Sequence, residues 1–423
     1  MNRETRHRIW ILGFAGLGTN IGWGLNKIFT AVLLAAQGAG VPLIGWVFGI
    51  QGLFGIILNP VTGFISDRMT TRFGRRRPFL FIAFPGATLA LMLLYVAHSL
   101  AVAVLAVIIF YFFQQLSQAP YLAMMPDTCE TRDYGEAAGI LNVLWMLGTL
   151  VSFLLVPLVW QFVGHLVAFL LGSGILLVSG LITAFRSREQ VSEMTVRPRP
   201  PVRLMMSSAF IQYLTAQALW WLGFEAIGSF FTPYMIHVLH GSILDAALSM
   251  SVFSVTAVAV SRVFGRWYRR YDARWLLGAA LGLFVLVALG GLVATNVSQA
   301  FVMLAGAGVA WGGIQVISYP LAVDLLRDDL VQRRGFSARE ASHTTEEVHG
   351  SVYGAVNVVQ SLGLMAAGPL VGQVIAQTGH HYVSMFIVSA ISFLSALILT
   401  LRLHRVHNIA TTLDDEVMTH PLA

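Results

Sequence analysis

The sequence is poor in charge, in cysteine and in lysine. Only 11% of its 423 residues are charged, whereas an ordinary soluble domain has roughly 25%. Hydrophobic residues make up 57% and occur in long runs, which excludes a soluble fold. Cys129 is the only cysteine, so an intramolecular disulfide is impossible. Lys27 is the only lysine among 26 basic residues, and it falls inside an apolar run.

The sequence also lacks the motifs of several functional classes. It contains neither GxxxxGK[ST], the phosphate-binding loop of nucleotide-driven pumps, nor the HExxH pair of zinc proteases. The histidine pairs His237 with His240 and His380 with His381 have no cysteine or carboxylate partners nearby and do not indicate a metal site. No serine, histidine and aspartate set converges in the membrane. We therefore expect no enzyme, no cofactor and no bound metal.

Apolar runs of about 20 residues match the roughly 30 Å hydrocarbon core of a bilayer. The sequence contains twelve, which predicts an all-α membrane protein with twelve transmembrane helices. They lie near residues 9–36, 42–65, 78–98, 101–125, 137–160, 164–185, 207–236, 246–264, 275–296, 299–323, 350–376 and 382–403. The first run follows three arginines as a signal peptide does. It is too long for one and lacks a small-residue cleavage site, so we interpret it as helix 1.

The 25 arginines are distributed asymmetrically. All lie in terminal segments or in loops that follow even-numbered helices, for example 68–77 and 262–274, whereas opposite loops such as 37–41 contain none. Positive residues favour cytoplasmic loops, so both termini are predicted to be cytoplasmic. This topology accounts for the net charge of +6 without a nucleic acid partner. We expect the plasma (inner) membrane of a bacterium.

An internal repeat divides the chain. Segment 138–150 aligns with segment 353–365 without a gap, so that glycine and asparagine recur in one register. A polar stretch containing RPRPP separates the two halves and cannot continue a helix. The predicted division is a six-helix bundle over 1–185, a cytoplasmic linker over 186–206, a six-helix bundle over 207–405 and a cytoplasmic tail over 406–423. We also expect a long charged loop over 327–349, with room for a short surface helix.

The loop after helix 2 carries glycines, an acidic residue and cations: Gly63, Asp67, Arg68, Arg72, Gly74 and Arg75. It resembles the signature G-x-x-x-D-R-x-x-x-R-x-G-R-R of the major facilitator superfamily, whose two repeats of six helices bind substrate between them. The resemblance implies an intracellular latch, a charge pair that stabilises one of two states. Asp127 and Asp324, at the ends of helices 4 and 10, are further gating candidates; solvated surface charges are the alternative.

Three segments resemble a narrower group. IGWGL at 21–25, NPVTGFISDR at 59–68 and QAPYLAMMPD at 118–127 are similar to sucrose-transporter-like members of the glycoside-pentoside-hexuronide:cation symporters. The resemblance implies cation-driven transport of a sugar or glycoside. Tyr111 stands where plant-type sucrose carriers place a protonatable aspartate, and Leu122 where they place an arginine. These departures argue against proton coupling through helix 4.

Two charges lie far from any predicted membrane end. Lys27 in helix 1 and Glu225 in helix 7 fall at the same depth, each four residues after a tryptophan, Trp23 and Trp221. An ion at the bilayer centre costs roughly 2.5–3.5 kcal/mol, so such residues face a partner or an aqueous cavity. We interpret Glu225 as the proton or cation site, with Lys27 as its partner or as a contact for a substrate oxygen. The alternative is a buried salt bridge that only orients the two halves.

Polar and aromatic residues at helical spacing predict the walls of a cavity around these charges. Amides bind hydroxyl groups in both senses, and aromatic faces pack on the apolar faces of sugar rings. The predicted substrate-binding residues are Asn20, Trp23, Lys27, Tyr111, Gln114, Gln118, Asn142, Trp145, Gln217, Trp221, Glu225, Trp311, Gln315, Tyr319, Tyr353, Asn357 and Gln360. An interhelical hydrogen bond is the alternative role for each single residue.

These features predict a secondary transporter, sufficient as a monomer, that moves a small polar solute by alternating access. The expected solute is a sugar or glycoside, coupled to protons or sodium. Two other functions remain open. Lys27 could clamp the carboxylate of an organic anion, or the chain could be a transporter-like sensor or assembly scaffold that moves no solute.

Overall fold

The computed structural model describes residues 1–69, 71–129, 133–187, 207–268, 270–379 and 381–403. Nearly all of the predicted linker and the whole predicted tail lie outside these ranges. Twelve long helices fill the described ranges. They are α1 (Arg3–Ala36), α2 (Val41–Arg68), α3 (Arg77–Tyr95), α4 (Leu100–Thr128), α5 (Tyr134–Leu150, continued by a π-helical turn at Val151–Leu155 and by Val156–Phe162), α6 (His165–Arg186), α7 (Ser208–His237), α8 (Ile243–Tyr268), α9 (Ala273–Val293), α10 (Val297–Arg334), α11 (Ala338–Gln377) and α12 (Ser384–Leu401).

Ten of these helices are long and apolar enough to cross a membrane, judged by length and composition over the described residues. The other two are α1 and α7, with 34 and 30 residues. They are long enough to span a bilayer, and they carry Lys27 and Glu225. The helices with the weakest apolar signal are therefore those that hold the charges inside the fold.

The helices form two bundles with equivalent packing. In the first bundle α1 packs against α5 and α6, α2 against α4, and α3 against α4 and α6. In the second bundle α7 packs against α11 and α12, α8 against α10, and α9 against α10 and α12. Each of these contacts recurs six helices later, as the predicted repeat requires. The prediction of two pseudo-symmetric six-helix bundles is confirmed.

Glycines bring α2 of one bundle into direct contact with α11 of the other. A Cβ atom added to Gly45 would lie 2.2 Å from the carbonyl oxygen of Gly368, and one added to Gly52 would lie 2.3 Å from the backbone nitrogen of Met365. Small residues permit such close backbone approach between membrane helices. Gly45 is near the start of α2, so this contact closes one side of the protein.

We call this closed side the arginine-poor side, because it carries the loops 37–40, 96–99 and 294–296. The opposite, arginine-rich side carries the connection between α2 and α3 and the turn at 270–272.

The predicted charged loop over 327–349 is wrong. Helix α10 continues to Arg334 and α11 begins at Ala338, which leaves only 335–337 between them. Gly335 takes the left-handed conformation (φ 71°) that ends α10. Ser337 forms a capping box with Glu340 at the start of α11, and hydrogen bonds from Ser337 lower the pKa of the Glu340 carboxyl. Local stop and start signals thus convert a polar stretch into two helix ends.

Replacing Gly45 with leucine should open the arginine-poor side, because the added side chain would collide with the backbone of Gly368. Opening can be measured as alkylation of a thiol at Val371, a buried residue of α11, in the variant Val371→Cys. The native Cys129 would be removed as Cys129→Ser. A shift of about 1.4 kcal/mol in the opening equilibrium would raise the alkylation rate about tenfold.

The matched control is Gly174→Leu, because a Cβ atom at Gly174 meets nothing within 4 Å. An equal rise in both variants, or no rise in Gly45→Leu, would contradict a gate formed by α2 and α11.

Candidate functional site

A buried ion pair joins the two bundles. The ammonium group of Lys27 on α1 donates to Oε2 of Glu225 on α7. Their side chains are only 3% and 4% exposed. The two charges that the sequence places at equal depth therefore contact each other directly, and each supplies the partner that a buried charge requires.

Two aromatic rings also face the Lys27 ammonium. Its nitrogen lies 5.6 Å from the ring centroid of Trp23 and 5.1 Å from that of Phe48. Both distances are within the range of a cation–π interaction. Phe48 lies on α2, three residues after Gly45. Lys27 therefore contacts the helix that closes the arginine-poor side, and it keeps favourable contacts even when Glu225 is neutral.

A hydrogen-bonded chain adjoins the ion pair. The hydroxyl of Tyr111 on α4 donates to Oδ1 of Asn26 at 2.6 Å, and Nδ2 of Asn26 donates to the hydroxyl of Thr30 at 2.8 Å. All three residues are buried. Tyr111, which replaces the aspartate of plant-type sucrose carriers, thus touches the residue next to Lys27. Sequence reasoning missed Asn26, although its spacing of four residues from Thr30 is a helical signal.

A cavity of about 60 Å³ lies beside the pair. Its lining is almost wholly apolar, and the two members of the ion pair are its charged residues. The lining residues are Trp23, Lys27, Phe153, Phe224, Glu225, Ile227, Gly228, Phe231, Met250, Phe253, Phe284, Val287, Met303, Leu304, Ala307 and Phe386. Of the predicted substrate-binding residues, Trp23, Lys27 and Glu225 line this cavity.

A π-helical turn in α5 places Phe153 in the cavity wall. Pro157 has no N–H, so the carbonyl of Phe153 cannot accept the usual bond from four residues later. The N–H of Val156 instead donates to the carbonyl of Val151, five residues back. The ring centroids of Phe153 and Trp23 are 6.0 Å apart. Such turns are frequent at functional sites, and Pro157 was the sequence signal for this one.

Several predicted polar residues lie on the arginine-rich side of the ion pair. Lys27 is nine residues from the arginine-poor end of α1, whereas Gln118 and Gln315 are each eighteen residues from the corresponding ends of α4 and α10. At 1.5 Å per residue, the difference is about 14 Å. Asn142 and Gln315 are exposed and Gln118 and Gln360 are half-buried. An unpaired amide in hydrocarbon is costly, so side chains of this kind are expected to face water or a polar partner rather than lipid.

Other predicted residues make bonds between helices. Asn20 on α1 accepts from Thr149 at 3.3 Å, the indole of Trp145 donates to Tyr121 at 3.1 Å, and Gln217 donates to the carbonyl of Val356 at 3.2 Å. These contacts agree with the alternative role of a single polar residue, an interhelical hydrogen bond.

The remaining predicted residues are dispersed. Gln114 lines a separate, smaller cavity in the first bundle. Trp311 stacks on Phe224 at 3.8 Å and meets Trp221 edge-on at 4.9 Å, so both tryptophans lie behind the wall of the larger cavity. Tyr319 and Asn357 are half-buried, and the side chain of Tyr353 lies outside the described residues. The binding roles of all these residues stay predictions.

The predicted gating residues form ion pairs within the first bundle. Nη2 of Arg75 lies 2.8 Å from Asp127, and Nε of Arg76 lies 3.1 Å from the same carboxylate oxygen. Arg76 also reaches Asp67 at 3.4 Å. Gly74 has a φ of 99°, which favours glycine, and it turns the chain so that the arginines face α4.

The other gating candidates have different surroundings. Arg68 lies over the ring of Phe64 at 3.4 Å and Arg72 over that of Phe73 at 4.7 Å. A Cβ atom on Gly63 would lie 3.8 Å from Ala119, an ordinary contact. In the second bundle, Asp324 accepts a hydrogen bond from Tyr268. The arginine-rich side is therefore built differently in the two bundles, and the latch itself stays a prediction.

Two equivalent six-helix bundles, a cavity between them and a charge pair at their contact define a membrane carrier. The sequence profile of the Major Facilitator Superfamily matches residues 12–338. The chain belongs to that superfamily of transporters.

Known proteins place the chain in the same fold. It matches the crystal structure of a bacterial homolog of the human lysosomal transporter Spinster, inward-facing and unoccupied, with a TM-score of 0.70 and 13% identity over 95% of this chain and 98% of that one. It matches the crystal structure of a point mutant of the nucleoside transporter NupG with a TM-score of 0.71 and 12% identity, over 94% and 98% of the two chains.

Sequence relatives give a shorter match. Proton-associated sugar transporter A from Homo sapiens is 29% identical over 146 residues, which are 31% of this chain and 20% of the relative. The protein of the same name from Mus musculus is 36% identical over 88 residues, 20% of this chain and 12% of the relative. The match spans a fifth or less of these relatives.

Replacing Lys27 with methionine should destabilise the protein, because Glu225 would remain buried without its cation. Breaking a buried pair in this way costs about 3–5 kcal/mol. The double variant Lys27→Met with Glu225→Gln should recover part of the loss, because it removes the unpaired charge. Thermal unfolding in one detergent would compare the three proteins. A single variant as stable as the parent would contradict a tightly paired, buried Glu225.

Proposed function

We propose that this protein is a secondary active transporter in which Glu225 is the ion-coupling site and Lys27 its partner. The observation that carries this proposal is the buried Lys27–Glu225 contact, which links α1 and α7 beside the cavity. Protonation of Glu225 removes its attraction for Lys27, whereas the aromatic contacts of Lys27 remain. The binding of one ion therefore changes the free energy of the contact between the bundles.

Alternating access follows because the free energy of the contact between the bundles differs between charged and protonated Glu225. A ligand shifts an equilibrium between two conformations only by its difference in affinity for them. The charged pair stabilises the conformation in which α1 and α7 hold the two side chains together. When Glu225 is neutral, that electrostatic stabilisation is lost. Because α2 carries both Phe48 and the glycines that face α11, movement at Lys27 is coupled to the closed side through one rigid helix.

The transported solute is a sugar or glycoside, and the coupling ion is a proton. The name of the mammalian relatives, Proton-associated sugar transporter A, supports both assignments. The resemblance of segments 21–25, 59–68 and 118–127 to sugar symporters supports the first. The positive-inside rule assigns the arginine-rich side, with both termini, to the cytoplasm.

Glu225→Gln should uncouple transport while leaving exchange. An amide keeps the size of the carboxyl group and a hydrogen bond to Lys27 but cannot take up a proton. We expect proteoliposomes with this variant to exchange internal for external solute and to lose accumulation driven by a pH gradient.

Glu4→Gln serves as the matched control, because Glu4 is an exposed acid at the start of α1. This variant should retain both activities. Uphill, pH-driven uptake by Glu225→Gln at the parental level would refute coupling through Glu225.

A further inference from the structure

Three phenylalanine rings form a chain on the arginine-rich side of the first bundle. The ring centroids of Phe73, which lies between α2 and α3, and of Phe81 on α3 are 5.6 Å apart. Those of Phe81 and of Phe185, at the end of α6, are 4.8 Å apart. Phe73 and Phe185 are exposed. We call these three rings the phenylalanine corner, because they connect the ends of α3 and α6.

Arg77 joins α3 to the end of α6 at this corner. Its Nε donates to the carbonyl of Ala184, and its Nη2 donates to the carbonyl of Phe185 at 2.8 Å. The last carbonyls of a helix lack partners within that helix, and a cation there is favourable. The guanidinium carbon of Arg77 also lies 5.9 Å from the ring centroid of Phe81. Arg77 therefore holds a positive charge at a fixed position beside the rings.

Two further arginines bring positive charge to the outer surface of the corner. The guanidinium carbon of Arg72 lies 4.7 Å from the ring centroid of Phe73, and Arg186 directly follows Phe185 in the chain. Both arginines are exposed. In the part of the chain that the structure describes, neither of them forms an ion pair with a carboxylate. Their charges are therefore open to an anion from outside the protein.

The corner lies at the edge of the hydrocarbon core. Helices α3 and α6 have 19 and 22 residues, so they are about 28 and 33 Å long, close to the roughly 30 Å thickness of that core. Arg77 is the first residue of α3 and Arg186 the last of α6, which places both at the level of the lipid headgroups. Deeper along the same two helices, the apolar side chains of Ile82, Leu89 and Val178 are exposed.

The positive-inside rule by itself does not account for this arrangement. That rule concerns the number of positive residues near one side of the membrane, and any arginine of the loop would satisfy it. The corner adds rings that lie against guanidinium groups, a contact that strengthens where water is excluded. It also adds exposed apolar side chains below the charges. Cations above a hydrocarbon-facing surface match the two parts of a phospholipid.

We propose that the phenylalanine corner binds an anionic phospholipid, whose phosphate lies between Arg72 and Arg186 and whose acyl chains lie along Ile82, Leu89 and Val178. Guanidinium groups bind phosphate oxygens through paired, charge-assisted hydrogen bonds. Basic surfaces between membrane helices bind anionic headgroups in the same way. A choline headgroup carries its own cation and is less favourable here. The inference concerns a lipid held at the outer surface and does not depend on the proposed transport.

The test compares dioleoyl phosphatidylglycerol with dioleoyl phosphatidylcholine, which have the same chains but differ in net charge. Native mass spectrometry would measure binding to the purified full-length protein in detergent. Each arginine near an anionic lipid contributes about fivefold to binding. We therefore expect the variant Arg72→Gln with Arg186→Gln to bind phosphatidylglycerol at least about tenfold more weakly and phosphatidylcholine as before. Unchanged binding of phosphatidylglycerol, or an equal loss for both lipids, would overturn the proposal.

Two further variants separate the corner from general electrostatics. The matched control is Arg262→Gln with Arg266→Gln, which removes two exposed arginines from α8 in the second bundle. This control should bind phosphatidylglycerol as the parent does, and a loss as large as that at the corner would refute a local site. The variant Arg72→Lys with Arg186→Lys keeps both charges and should keep most of the binding. A loss equal to that of the glutamine variant would show that charge does not hold the lipid.

A soluble phosphate distinguishes a lipid site from a phosphate site. Glycerol 1-phosphate carries the charged part of the headgroup without acyl chains. We expect it to leave phosphatidylglycerol bound to the parent protein at equal concentration, because it gains nothing from the apolar side chains of α3 and α6. Displacement of the lipid by glycerol 1-phosphate under these conditions would overturn the assignment to a phospholipid.

Discussion

A lysine and a glutamate buried against each other between the two bundles form the interaction on which the rest of the structure depends. A charge without a partner is costly in the membrane, so the pair favours the arrangement in which α1 and α7 face each other at this depth. The same lysine meets Phe48 on α2, whose glycines meet α11. One contact thus connects the proposed ion site, the cavity and the closed side, so a change in the charge of Glu225 would act on all three.

The two bundles share a packing scheme and differ in their polar contacts. Their helices repeat the same neighbours, yet Asp127 binds two arginines from the loop after α2, whereas Asp324 accepts a hydrogen bond from Tyr268 at the end of α8 and lies 4.0 Å from Arg327 on its own helix. The cavity is also asymmetric, because most of its lining residues belong to the second bundle. The two halves therefore share a fold, whereas their polar contacts and their shares of the cavity wall differ.

Features set by neighbouring residues agree with the sequence predictions better than features set by distant ones. Counting along two apolar runs predicts that Lys27 and Glu225 lie at the same depth. Their direct contact in the structure agrees with this prediction. The repeat predicted equivalent glycines, and its mates have equivalent surroundings: Gly148 and Gly363 both approach a backbone carbonyl, of Leu17 and of Ala218, whereas a Cβ atom on Gly139 or Gly354 would meet nothing within 4 Å. Polar stripes predicted a cavity lined by amides, whereas the cavity beside the ion pair is apolar and the binding roles of the amides stay predictions. A stripe identifies a helix face, but the neighbours of that face depend on how helices are rotated and tilted.

The sequence by itself determined twelve membrane-length segments, the repeat of six and the two intramembrane charges, because hydropathy and charge act residue by residue along the chain. It also carried the stop at Gly335 and the cap at Ser337, which are local hydrogen-bonding signals. Only the tertiary structure decided that Asn26 and Phe48 adjoin the pair, that Phe153 meets residues of the second bundle in the cavity wall, and that the cavity is apolar. These features combine side chains from helices far apart in sequence, and their proximity is set by packing between helices, which no single segment encodes.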